Sequence, residues 1–232
     1  MSPLEIALRP LTRPINGQYT RPWMTDMRNP AEAKVFIIGR NSAKTIPQHP
    51  KLDHDTYLDG LFNRNGSSCR SLYDHAVRDS GPSPTRRNID RLMASFAEAG
   101  VADVLQTNII CFSTPMSGDL KRPENWEGRA NGTRIFETIL AIIRPSILIA
   151  HGAGTVRDLS RLLGCNLPSV PADRHSGLSY RRIDALLSGA AYAPHVFVIP
   201  SLAPPAWNKW RAWAWPHMTE TCARVREYLA NG

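Results

Sequence analysis

Four short apolar runs set the limits on what this chain can become: VFII at 35–38, the VLQTNIICF stretch at 104–112, SILIA at 146–150 and HVFVI at 195–199. Each leads directly into Gly, Ser, His-Gly or Pro. Runs of this length, rich in β-branched residues, suit strands buried on both faces. Between them lie segments whose apolar residues recur at helical spacing. Strands alternating with helices predict an α/β protein of three layers (α/β/α), with a central four-stranded parallel sheet between helices. At 232 residues the chain can bury a core without metal or disulfide support, and it suits one domain better than two.

Residues 1–33 hold several prolines and basic residues, and read as an N-terminal arm or irregular edge packed on a single domain over 34–232. Gly39 is expected to turn the chain sharply after the first strand. A polar, irregular stretch over 41–68 precedes a helical pattern near 72–77. A longer one spans 85–100, with Ile89, Leu92, Met93, Phe96 and Ala97 on one face and Gly100 closing it. Further helices are expected near 135–143, 156–163, 185–187 and from the tryptophan-rich tail to residue 229. Residues 165–182 read as a long excursion.

Four cysteines are scattered without a CxxC pair or metal-ligand spacing, which fits a reducing, cytoplasmic setting. The first residues lack the apolar core of a signal peptide, and the most apolar stretch, ILAIIRPSILIA, is broken by Arg144 and Pro145. A soluble, uncleaved protein without membrane attachment is expected. The formal net charge of +8 attracts polyanions such as nucleic acid, although solvated basic faces give the same composition.

In open parallel sheets, ligands bind beyond the carboxyl ends of the strands. The groups arriving there are GRN after the first strand, TN within the second, HGAGT after the third and PSLAPP after the fourth. Asn41 at the rim either caps a turn through its side chain or serves a ligand. GRNSAKT is a poor phosphate loop, one residue short and lacking the second glycine. HGAGT suggests an oxyanion turn, but no GxSxG elbow accompanies it.

Taken in order, GRNSAKT, QTNIICFSTP, RPSILIAHGAGTVRDL and IPSLAPP resemble the motifs of the uracil-DNA glycosylase superfamily over about residues 34–210. The resemblance implies a DNA repair enzyme that flips uracil, or another damaged or 5-substituted base, out of DNA and hydrolyses its N-glycosidic bond without cofactor or metal. The implied partner is DNA containing uracil or an abasic site, and the implied state a monomer. Gly39-Arg40-Asn41 is similar to the asparagine form of the first motif, in which Asn41 positions water. Gly39, Arg40 and Ala43 would then border the base, Asn108 would read its edge and Phe62 would stack on it. Pro200 and Ser201 match the last motif and would steady the DNA backbone, Leu202 would fill the vacated stack, and Lys44 would meet a phosphate. Core packing for Phe62, loop packing for Leu202 and solvation for Lys44 and Arg40 are the competing readings.

Four departures bear on the resemblance. Ile199 stands where the family carries the His or Asn that supports charge on uracil, and His151 is the candidate substitute; its competing reading is a hydrogen-bonded structural histidine. Ser42 replaces the usual proline, and the cysteines do not have iron–sulfur spacing. With Ile199 the chain also fits a binding protein for uracil or abasic DNA that lacks catalysis, while HGAGT keeps open a small-molecule hydrolase or nucleotide-binding protein. The fourth departure, Ala43, occupies the place of a tyrosine that excludes 5-substituted bases. The wild type should therefore accept 5-substituted uracils and Ala43→Tyr should narrow it to uracil. Excision from oligonucleotides holding each base is the check, and equal exclusion by both forms would assign that side of the pocket to another residue.

Overall fold

The computed structural model describes residues 1–231. In chain order its elements are helix α1 (Pro3–Leu8), strands β1 (Gln18–Tyr19), β2 (Trp23–Met24), β3 (Val35–Asn41) and β4 (Ile46–Pro47), and helices α2 (His54–Leu61), α3 (Cys69–Ala76) and α4 (Pro84–Glu98). Strand β5 (Val104–Ile110), helix α5 (Trp126–Ile143), strand β6 (Ile147–His151) and helix α6 (Ala153–Leu163) follow. Strands β7 (Ser179–Arg182), β8 (Ala185–Leu187), β9 (Ala190–Tyr192) and β10 (His195–Ile199) precede helices α7 (Ala206–Trp210) and α8 (Ala214–Asn231). Among the described residues no helix is long and apolar enough to cross a membrane.

The protein is a mixed α/β fold around a six-stranded sheet ordered β2-β5-β3-β6-β10-β7. β3, β6 and β10 run parallel, with Val35 opposite Ile147 and Ile147 opposite His195. The sheet is thus mostly parallel but has six strands where four were expected. The additions are antiparallel edges, β2 on β5 and β7 on β10. Neither carries an apolar run: β2 has two residues, and β7 ends in exposed Arg181 and Arg182, charges that discourage further edge pairing.

Other differences have local causes. Gly39 lies inside β3 without a left-handed φ, so the strand continues through Asn41 before it turns. Residues 185–187 form a strand instead of a helix: β8 pairs with β9 through Ser188 and Gly189, whose φ values of 52° and 79° make a two-residue hairpin turn. The stretch at 41–68 contains β4 and α2, the latter capped by Asp53. The first residues include α1, capped by Ser2, with Leu4 and Leu8 buried.

The chain forms two compact units. The second comprises Lys34–Ile38, Ser83–Val104 and Pro145–Gly232. There Ile89, Leu92 and Phe96 of α4 and Met218, Cys222 and Val225 of α8 share one core with Val35, Ile37, Ile147, Ile149, Phe197 and Ile199. α6 packs back on β6.

The first unit comprises Met1–Ala33, Gly39–Pro82 and Leu105–Arg144. Here α5 lies against α1 and against the chain leaving β5. That second contact needs glycine: a Cβ on Gly132 would stand 2.9 Å from the backbone nitrogens of Cys111 and Phe112, and one on Gly128 would stand 2.5 Å from the Phe112 ring. α1 is held by Glu5, 3% exposed, which accepts hydrogen bonds from both terminal nitrogens of Arg64 at 2.9 and 3.1 Å. Burial pushes the Glu5 carboxyl up, but the Arg64 hydrogen bonds and charge, joined by Arg9, outweigh it and hold the carboxyl below its ordinary range. Because the folded-state value is depressed, this contribution to stability is present above the unfolded pKa and is lost as pH falls through the folded one. Glu5→Gln should cost about 1–3 kcal/mol near neutral pH, and the gap to wild type should close in acid. Urea unfolding at both pH values is the measurement; a gap that does not change with pH would remove charge as the cause.

Candidate active site

The first unit places Asn41 at the carboxyl end of β3 and binds it to the loop that follows β5. Asn41 Nδ2 donates to Thr114 Oγ1 at 2.9 Å and, more weakly, to the Ser42 carbonyl at 3.4 Å. Its Oδ1 accepts from Ser117 Oγ at 2.8 Å. Beside it, Ser42 and Ser113, both buried, join their hydroxyls at 2.5 Å, and Thr114 N donates to the Ser42 carbonyl. Asn41 therefore caps no helix; it clamps a loop. Both amide protons are committed, while Oδ1, with two lone pairs, has one left. Ala43 is exposed next to this clamp, Lys44 donates to Ser80 Oγ at 3.1 Å, and Arg40 is half-buried. No helix starts after Lys44 before His54, so the phosphate-loop reading of GRNSAKT lacks the helix it requires.

Every residue of β5 is buried, including three consecutive polar ones. Thr107 Oγ1 donates to the Pro22 carbonyl at 2.6 Å and Gln106 Nε2 to the Thr107 carbonyl at 3.0 Å. Asn108 is 5% exposed and, among the described residues, its carboxamide has no partner. Its polar atoms are nonetheless not sealed from solvent. A recessed amide of this kind keeps two donors and an acceptor oxygen for something that enters.

Phe62, expected to stack on a base, is 7% exposed and packs its ring edge-on against Trp23 at 5.4 Å, with the Arg64 guanidinium 5.4 Å above it. The core-packing alternative describes it. A different side chain of this unit had no role in the sequence reading: Met116, on the loop clamped by Asn41, is 71% exposed.

In the second unit, His151 ends β6 opposite Ile199 and just before Gly152, the first residue of the α6 turn. It is buried, and neither ring nitrogen has a partner or meets solvent. Burial alone pushes its pKa down to about 4, so the ring is neutral near pH 7. It is therefore not the hydrogen-bonded structural histidine, and both ring nitrogens are closed to solvent. Pro200 is buried; Ser201 Oγ accepts from Ala203 N at 3.2 Å and lies 3.3 Å from where a Gly152 Cβ would stand.

Leu202 corrects an expectation. It is wholly buried, belongs to the core with α4 and α8, and its carbonyl accepts from Asn88 Nδ2 at 2.8 Å. The loop after β10 turns its apolar residue inward, so Leu202 is not an exposed wedge. In the tail, Trp210 is buried and Trp207, Trp213 and Trp215 are half-buried and mutually edge-on, as core packing requires. Among the described residues no three His, Cys, Asp or Glu side chains gather as a metal site.

Neither a protein-family model nor a curated protein matches this chain. The chemistry of the site therefore rests on its own groups. A partnerless amide that serves only the fold is a liability, and an apolar residue of similar size removes it. Asn108→Leu should raise the unfolding free energy by about 1 kcal/mol. Urea denaturation gives the answer, and a loss of that size in its place would mean that the amide is structurally engaged.

Proposed function

We propose that the protein is a monofunctional DNA glycosylase that flips uracil out of DNA and hydrolyses its N-glycosidic bond, with a fold of the uracil-DNA glycosylase kind. The observation that carries this reading is the unpartnered, recessed carboxamide of Asn108, which matches the base edge that such an enzyme must read. Its N–H groups suit uracil O4 and its oxygen suits N3–H. Cytosine offers the reverse pattern, and the mismatch leaves buried groups unpaired at about 1–3 kcal/mol each.

Asn41 supports the same chemistry from the other reactant. With its donors held by Thr114 and Ser42 and one lone pair taken by Ser117, it offers a water one acceptor. A water donating there keeps its own lone pair free to attack C1′. The amide does not deprotonate that water, so the rate comes from positioning and from electrostatic support of a cationic sugar and an anionic base. The excess of basic residues favours a polyanionic substrate. A second reading, binding of uracil or abasic DNA without catalysis, is favoured by Ile199, a buried apolar residue at the position where the resemblance calls for a donor.

A labelled uracil oligonucleotide incubated with the protein and then treated with alkali separates these readings. Strand cleavage supports the enzyme, a gel shift without cleavage the binder, and neither outcome would remove both. Asn41→Ala should slow single-turnover excision on the order of 10²-fold in folded protein. Asn108→Asp should lose uracil excision, since an ionised carboxylate only accepts, and gain weak cytosine removal if burial keeps it protonated. A folded Asn108→Asp protein that excises uracil at the wild-type rate would take the central residue out of the pocket.

A further inference from the structure

Met116 is an apolar side chain held out into solvent by a loop whose backbone is tied down on every side. Its amide N–H donates to Asp119 Oδ2 at 3.0 Å and its carbonyl accepts from Thr114 Oγ1 at 2.8 Å. Thr114 is the hydroxyl that Asn41 grips, and Ser117, the next residue, donates to Asn41 Oδ1. Asp119 is paired with Arg122 at 3.1 Å, and Leu120, 1% exposed, anchors the far side of the loop. Isolated exposed apolar residues are ordinary on protein surfaces. Three side-chain hydrogen bonds converging on the two residues 116 and 117, with a fourth from Asn41 holding Thr114, are not needed to leave a methionine in water; they fix the backbone from which it projects.

The same continuous segment that carries Asn108 thus presents, eight residues later, a rigidly based and unbranched apolar side chain. Exposed Lys121 and Arg129 follow in the segment, and neither has an acidic partner among the described residues. Exposed cations suit a phosphate backbone; an apolar finger suits the space between stacked bases, where proteins that kink or unstack duplexes insert Met, Leu, Ile or Phe. We infer that Met116 is the residue that enters the duplex and fills the stack vacated by the flipped base, a task that buried Leu202 does not perform. The inference takes its substrate class from the glycosylase reading above, and Asn41 acquires a second duty as the positioning residue of the loop.

The probe is duplex DNA with a tetrahydrofuran abasic analogue beside 2-aminopurine, whose fluorescence rises when it is unstacked. At saturating protein, the wild type should raise the signal severalfold and Met116→Ala should abolish most of that rise, while Met116→Leu should restore it. With cleavable substrates, Met116→Ala should lower the ratio of duplex to single-strand uracil excision about tenfold, because a single strand has no opposing stack to fill. A general structural defect would lower both rates and leave the ratio unchanged. Excision by the wild type with a ratio and a fluorescence rise indifferent to Met116 would overturn the insertion and leave the glycosylase reading standing. A Met116-dependent rise without excision of uracil would uphold insertion and overturn the glycosylase reading. No rise with the wild type would overturn the insertion outright.

Discussion

A strand buried on both faces cannot carry polar side chains without giving each a partner, and β5 carries three in a row. Thr107 meets this constraint by donating to the Pro22 carbonyl, directly before the short edge strand β2 that pairs with β5. Gln106 meets it along its own backbone. Asn108 does not meet it. The exception is tolerable because the amide still touches solvent, where water or a ligand completes what the protein leaves open.

The glycines of α5 set what happens beyond that amide. Because Gly128 and Gly132 have no side chains, the helix closes on Phe112 and on the Cys111 amide, which donates to the Gly132 carbonyl at 3.2 Å. The chain therefore leaves β5 in a fixed direction, and Ser113 and Thr114 arrive where Ser42 and Asn41 can bind them. This network is made of neutral groups, so salt screens it little. Charge enters the same unit elsewhere, at α1, where buried Glu5 is paired with Arg64.

The sequence made the central strands legible because each is an apolar run too short for a helix and too continuous for a half-exposed strand. It concealed the edges, since two residues at 23–24 and a polar tetrad at 179–182 have no such pattern. Of the candidate site, the part legible in the sequence is where chemistry and position coincide: Asn41 at a strand end and Asn108 within an apolar strand stand out as amides where apolar residues belong. Leu202 was misleading, because an apolar residue in a Pro-rich loop is equally suited to pointing in or out, and only packing against α4 and α8 decides. Met116 escaped for the converse reason. Inside STPMSGD it looks like filler in a polar loop, and the bonds that tie that loop down run from Asn41 to Thr114 and Ser117, 73 and 76 positions away in the chain. Spacing carries no signal of such bonds.

The directions of those bonds also explain why residue 41 is an asparagine. The Thr114 hydroxyl has one proton, which it gives to the Met116 carbonyl; towards residue 41 it is an acceptor and needs a donor. The Ser117 hydroxyl gives its proton to residue 41 and needs an acceptor. Only a side chain with one of each satisfies both, and at this length that is the amide of asparagine. An ionised aspartate would be the better electrostatic partner for a cationic sugar, but it accepts only. It would turn the Thr114 proton away from Met116 and loosen the loop. On the glycosylase reading, the neutral group at this position and the fixed loop beneath the exposed methionine are thus two consequences of one hydrogen-bond pattern. If the loop must hold Met116 against the push of stacked bases, the neutral amide is the residue that permits it.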